Sequence, residues 1–254
     1  MVELVTVPTR TRAPGDATAA YLVSDSLLVD PAGESAGLDA AIVAANPSHV
    51  AVTHHHPDHV GGVAAYADRF DLTVWARRGR EEDFTAATGV TPDRTFHPGD
   101  SIPTGAGVRV VDTPGHAPEH VAFDVTGGVL SGDLAVAEGS VVVGAPKGDM
   151  RAYLASLRRI HAMNPDRLYP GHGPVIGETR ATCRRLIEHR LDREARVLAA
   201  VQAGAHSPDE ILDLAYEKDL SGVQDLARAT VVAHLEKLTV DGRLAWDGSR
   251  AESF

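Results

Sequence analysis

Thr53-His54-His55-His56-Pro57-Asp58-His59-Val60-Gly61-Gly62 packs the imidazoles of His54, His56 and His59 and the Asp58 carboxylate into six residues. Without its variable positions it is His54-x-His56-x-Asp58-His59, placed directly after the apolar strand candidate Val50-Ala51-Val52. Neutral imidazole nitrogen and carboxylate oxygen are the borderline donors that hold zinc and its neighbours. In an extended segment, side chains two residues apart point the same way, so His54 and His56 converge on one ion. Asp58 and His59 fall on the first turn of a helix expected over 58–69, where they are placed to grip a second ion. His55 points away from its neighbours, behind the ligands or at the surface. A polar loop that happens to be rich in histidine is the plainer alternative; four ligand-type residues at this spacing weigh against it.

Three later segments each place one more donor on a glycine-containing loop just past a strand candidate. His116 ends Thr113-Pro-Gly-His after Val108–Val111, Asp133 ends Ser131-Gly-Asp after Val129-Leu130, and His172 follows Tyr169-Pro-Gly after Arg167–Tyr169. Glycine there lets backbones pack close to a shared centre. Cys183 is the only cysteine, so internal disulfides and a cysteine-based metal site are excluded, and a reducing cytoplasm fits.

The first 175 residues alternate short apolar runs with Gly/Pro/Asp punctuation, as a strand-rich α/β domain does. Further strands are expected at Ala20–Val23, Leu27–Val29, Leu72–Trp75 and Val121–Val125, with helices over 35–46 and 149–163. A long charged helix follows over 178–202. Then come a capped helix from Ser207 to Ala215, two helices near 220–227 and 230–238, and a turn at Asp241-Gly242 between Thr239-Val240 and Arg243–Trp246. Three helices and a hairpin outline a winged helix, giving a division into 1–177, a linking helix 178–203, and 204–254. Trp75, Trp246, Tyr153 and Phe123 read as core, Cys183 as inert, and Gly105-x-Gly107 as a turn. The cluster Arg184-Arg185 with Arg190 and Arg193 reads either as a solvated helix face or as the lining of a substrate mouth.

Thirty-five acids face 24 bases, only Lys147, Lys218 and Lys237 being lysine, for a net charge of −11. This argues against a general polyanion binder, because nucleic-acid affinity rests on phosphate neutralisation. It also suits work in concentrated salt, although a GC-rich genome alone would favour Arg over Lys. No apolar run approaches the roughly 18 residues of a membrane span, and the N-terminus has no basic start and apolar core of a signal peptide.

The ordered set His54-x-His56-x-Asp58-His59, His116, Asp133, His172 resembles the metallo-beta-lactamase-fold hydrolase superfamily, an αββα sandwich. The resemblance implies that His54, His56 and His116 hold one divalent ion, that Asp58, His59 and His172 hold another, and that Asp133 bridges them. The ions would be zinc, with iron and manganese also compatible with the donor set. A closer resemblance, carried by Tyr169-Pro-Gly-His-Gly-Pro-Val-Ile176, His189-Arg190, Arg193-Glu194 and Ala233–Leu238, is to the beta-lactamase-like-protein-2 group. That group pairs the hydrolase domain with a small C-terminal winged helix, and its animal member is described as an endoribonuclease acting on single-stranded RNA. The glyoxalase II group shares the ligands, but there the last histidine is usually followed by Glu-Tyr where this chain has Gly173-Pro174.

What is implied is a hydrolase in which a hydroxide between two ions, about 3.5–4 Å apart, attacks a carbonyl or phosphorus centre. Asp58 would also orient that nucleophile, and His120 would donate a proton or contact substrate, unless it is a surface residue at a strand edge. Thr53 and Asp112 are adjacent acceptors for the ligands' second nitrogens. Histidine at position 56 favours hydrolysis, since members that reduce oxygen at a di-iron site generally carry Glu there. A phosphodiester, such as single-stranded RNA, competes with an ester or a glyoxalase II-type thioester as substrate. A regulator of another class, with a DNA-binding winged helix and a ligand-sensing hydrolase fold, is weakened by the tail. Residues 205–254 hold ten acids and five Lys/Arg, and the expected helix 230–238 offers only Lys237 as a base. Packing, or dimerisation into a homodimer, is the more natural use of that block.

Overall fold

Alternation at period two sorts the strand residues to the two faces of a sheet. In the computed structural model, which describes residues 1–13, 15–24, 26–105, 107–217 and 220–254, that sorting builds two sheets packed face to face. The first sheet runs β1 (Val2–Pro8), β2 (Ala17–Val23), β3 (Leu27–Val29), β4 (His49–Ala51), β5 (Thr73–Arg77), β6 (Arg94–Phe96), in spatial as in chain order. Its first three strands are antiparallel and the rest pair in parallel. The second sheet contains β7 (Ser101–Ile102), β8 (Val108–Asp112), β9 (Val121–Val125), β10 (Gly128–Gly132) and β11 (Leu168–Pro170), ordered β11-β10-β9-β8-β7. Only β10 and β11 pair in parallel there. Ala106, within the expected Gly105-x-Gly107 turn, lies outside the described residues.

Tyr21, Val29, Ala51, Trp75, Val110, Phe123, Leu130 and Tyr169 fill the space between the sheets. Their strand neighbours Leu22, Leu28, Val50 and Val74 face outward and are covered by α1 (Ala36–Ala45), α3 (Val63–Phe70) and α4 (Glu81–Thr88). On the far side Val111, Ala122, Val129 and Leu168 meet α5 (Met150–Met163) and the first half of α6 (Thr179–Gln202). The layers are therefore helix, sheet, sheet, helix, the αββα sandwich expected. Cys183 is buried in the α5–α6 layer, and burial pushes its thiol up to about 11.

Three details differ from expectation. The helix over 58–69 is two pieces, α2 (Pro57–Val60) and α3. The Gly61-Gly62 break brings backbone against Pro31 and Ala32, where a Cβ on Gly61 would lie 2.5 Å from the Ala32 carbonyl. The two helices expected over 220–238 are one, α8 (Gln224–Val240), because nothing between Ala227 and Thr230 breaks it and the Thr230 hydroxyl is absorbed by the Leu226 carbonyl. Thr239-Val240 consequently ends that helix, and Gly242 (φ +68) closes it. The hairpin lies further on, pairing β12 (Leu244–Trp246) with β13 (Ala251–Ser253) across a turn held by the Asp247 carboxylate.

With α7 (Pro208–Ala215), capped by the reciprocal Ser207–Glu210 box, α8 and the hairpin close over a fourth apolar cluster. The second half of α6 supplies Val197, Leu198 and Val201 to it. One helix thus belongs to two cores. Among the described residues no helix is long and apolar enough to cross a membrane.

Candidate metal centre

Strands β4, β8, β10 and β11 all end toward the same edge of the sandwich, and each is followed by a donor-bearing loop. There His54, His56 and His116 come together, as do His54, His59 and Asp133, and Asp58, His59 and His172. Within each trio one ligand atom per residue lies within 4.8 Å of the others. All seven positions singled out in the sequence meet in one cluster. His55 is in none of these trios; its ring stands 5.5 Å from that of Phe84, and its Nδ1 is 3.8 Å from Glu119.

Each of four imidazoles has one nitrogen tied down by an acceptor. Asp30 accepts from the Thr53 hydroxyl (2.7 Å), leaving the Thr53 oxygen to accept from His54 Nδ1 (3.0 Å). Asp30 also accepts from His59 Nδ1 (3.0 Å). His116 Nδ1 donates to the Val142 carbonyl (2.6 Å), and His172 Nδ1 to that of Ala17 (2.9 Å). The opposite Nε2 of each ring thereby faces the cluster, as a bare lone pair wherever the ring is neutral.

These lone pairs crowd one another. His54 Nε2 and His116 Nε2 lie 3.0 and 2.9 Å from His56 Nδ1, which has at most one proton to give. His59 Nε2 and Asp133 Oδ1 are buried without a hydrogen-bond partner. Asp133 stands between the groups, with Oδ2 3.5 Å from His116 and Oδ1 3.5 Å from His59 and 3.6 Å from His172. Asp58 lies 3.6 Å from His172. Buried acceptors facing each other are costly unless cations lie between them. Nitrogen and carboxylate oxygen are also the donors that divalent transition ions prefer. The residues present fit such ions.

The electrostatics agree. Burial, and next the surrounding imidazoles, hold His54 well below its ordinary value and His56 at about 4, so both stay neutral and able to ligate. Burial opposes ionisation of Asp133, but His59, His116 and His172 together outweigh it and hold the carboxyl well below the usual range. His59 is pushed up because Asp133 and Asp30 outweigh the effect of its own burial. Positive charge is thus favoured at His59, between two carboxylates, and disfavoured at His54 and His56.

Three expectations need correction. His120 is fully buried; its Nε2 accepts from the Asp133 backbone N–H (3.1 Å) and its Nδ1 meets the Thr113 hydroxyl (2.9 Å). With both nitrogens engaged and burial lowering it to about 3, this ring holds Asp133's backbone and is not a proton donor facing substrate. Asp112 serves no histidine: its carboxylate pairs with Arg77 at 2.8 Å. The arginine cluster divides: Arg184 is exposed, as a solvated helix face requires, whereas Arg185, Arg190 and Arg193 turn inward and donate to backbone carbonyls. Thr53, by contrast, is the acceptor for His54 as expected. Asp30 was missed, although Val29-Asp30-Pro31 repeats the pattern of an aspartate just past a strand end. Ala17 and Val142 act through backbone carbonyls and leave no residue-type signal.

Helices flanking two stacked sheets, with histidines and aspartates gathered past the strand ends, define a metallohydrolase architecture. The metallo-beta-lactamase superfamily model matches residues 13–172, and the chain belongs to that superfamily of hydrolases. It is 32% identical over 220 residues to the Drosophila melanogaster protein named beta-lactamase-like protein 2 homolog, covering 81% of this chain and 73% of that one. A thioesterase of Emericella nidulans, pkgB, is 33% identical over 163 residues, 63% of this chain and 44% of that protein. Among solved structures, a metallo-beta-lactamase family protein from Thermus thermophilus superposes with a TM-score of 0.79 at 23% identity, over 100% of this chain and 98% of its own.

Proposed function

We propose that this chain is a dinuclear metal-dependent hydrolase that cleaves a small-molecule ester or thioester. The observation that carries it is the seven-residue cluster in which the Nε2 atoms of His54, His59, His116 and His172 and the Asp133 carboxylate face one another. On this reading His54, His56 and His116 hold one cation, Asp58, His59 and His172 the other, and Asp133 reaches both. Zinc suits the donor set, and iron or manganese is the alternative. When bound, the pair of ions lowers the pKa of a shared water and polarises the electrophile. Asp58, the most exposed carboxylate of the cluster at 17%, accepts from the attacking water and orients it. His120 and Asp30 keep Asp133 and His59 in place.

The ester or thioester reading is supported by the likeness to a protein named as a thioesterase and by the pairing of cations in the C-terminal block. Lys237 contacts Glu194 and Asp241, Arg228 contacts Asp209, and Arg250 contacts Glu252. Residues 204–254 form a winged-helix-like module on this reading, but α8 is a poor groove reader. It gives Ala233 to the α5–α6 layer and Val231, Leu235 and Leu238 to the fourth cluster, so it is covered on both sides. A single-stranded RNA substrate is the second reading, favoured by what the resemblance to the beta-lactamase-like-protein-2 group implies.

Metal analysis of the purified chain, followed by assays on thioester, ester and single-stranded RNA at low and high salt, tests this. Two ions per chain and thioester or ester cleavage are expected. RNA cleavage without it would transfer the proposal to phosphodiesters, and failure to take up zinc, iron or manganese would remove it altogether.

A further inference from the structure

Residues 134–149, between β10 and α5, border the metal centre with neither helix nor strand, yet Val142 in this segment lends His116 the carbonyl that fixes its ring. Much of what holds the segment comes from α6 and α8. Arg185 donates to the carbonyls of Val136, Ala137 and Gly139, and the Ala145 N–H donates to Ala229 on α8 (3.1 Å). Arg190, 3% exposed, donates to the carbonyl of Val141, the residue next to Val142.

Arg190 has a second contact. Its guanidinium stands over the Tyr153 ring, 5.5 Å from the centroid. Against the backbone of Tyr153 is pressed Gly115, the residue before His116; a Cβ on Gly115 would lie 2.3 Å from Tyr153 Cα. The Tyr153 hydroxyl donates to Leu134 at the start of the same segment (2.9 Å). One buried cation therefore touches both supports of His116, the strand of loop that fixes its Nδ1 and the helix that backs its main chain.

Stability alone does not account for this side chain. Its Nε is buried without a partner among the described residues, and a buried, incompletely paired charge costs stability. A planar fork can bond a carbonyl and stack on a ring at once, which a lysine amine cannot do.

We propose that Arg190 is a positioning residue for His116, and through it for the cation held by His54, His56 and His116. This rests on the dinuclear reading above. Groups that orient a ligating histidine typically govern metal affinity by about 10–100-fold.

The test is cobalt binding by the full chain, followed by chelator competition and by the visible spectrum as each site fills. R190M should weaken one of two sites by about 10–100-fold and alter its spectrum, leaving the other within about threefold of wild type. R190K should show the same one-site loss, and it carries the test if R190M does not fold. R185M, which releases the same segment farther from Val142, should leave both sites within about threefold of wild type. Wild-type affinity at both sites in R190M, wild-type affinity in R190K, an equal loss at both sites, or the same loss in R185M would each overturn the proposal. A wild-type chain that binds no cobalt, zinc, iron or manganese would instead sink the dinuclear reading.

Discussion

Asp30 carries three hydrogen bonds on one buried carboxylate, from the Thr53 N–H, the Thr53 hydroxyl and His59 Nδ1. It thus sets both the start of the histidine loop and the orientation of the His59 ring. Asn in its place keeps the shape but offers a single acceptor oxygen, so D30N should bind metal about 10–100-fold more weakly. Chelator competition checks this, and a variant that holds both ions at wild-type strength would refute the role. The donors themselves were legible because ligand chemistry needs particular side chains at particular spacings. Their supports were less so. Val142 and Ala17 work through carbonyls that any residue would supply, and His120 reads as a free histidine until burial turns it inward.

Among the elements, β9 shows how alternation becomes architecture. Val121 and Phe123 face the other sheet, while Ala122 faces the α5–α6 layer. Phe123 is fully buried, with its ring edge-on to Phe96 at 6.1 Å, joining the two sheets. F123A should lose about 3–5 kcal/mol of unfolding free energy in denaturant titration, and a loss below about 1 kcal/mol would contradict its place between the sheets. Strands such as β3 and β9 could be read to the residue because turn residues and alternation agree there. β1 and α4 went unread: β1 exposes Glu3 and Leu4 at a sheet edge, and α4 buries only Phe84, so neither shows a full apolar face. The run from Ala227 to Leu238 looked like two helices because polar Thr230 interrupts it. A threonine bonding four residues back is tolerated inside a helix.

At the scale of the molecule, α6 and α8 are joined by Glu194, which meets Lys237 at 2.9 Å and lies 3.7 Å from buried His234. Burial works against the Glu194 charge, but His234 and Lys237 outweigh it and depress its value below 4.5. Lys237 is raised above 10.5, with Asp241 and Glu194 outweighing its own burial. A depressed acid stabilises above its unfolded value and ceases to do so as pH falls through its folded one; a raised base stabilises below its unfolded value and ceases as pH rises through its folded one. The pair's contribution should therefore be level between about pH 5 and about pH 9 and fade on either side. E194Q should melt about 2–4 °C lower than wild type on that plateau for each kcal/mol lost, with the gap narrowing below it. A gap unchanged down to about pH 3 would contradict the assignment.

Because α6 lends one end to the hydrolase layers and the other to the C-terminal cluster, the tail is no detachable appendage. Shortening the chain behind α6 would strip the covering from Val197, Leu198 and Val201 and remove the Ala229 carbonyl on which the loop beside His116 hangs. Damage at the far end of the polypeptide would thus be felt first as a slackened grip on an ion.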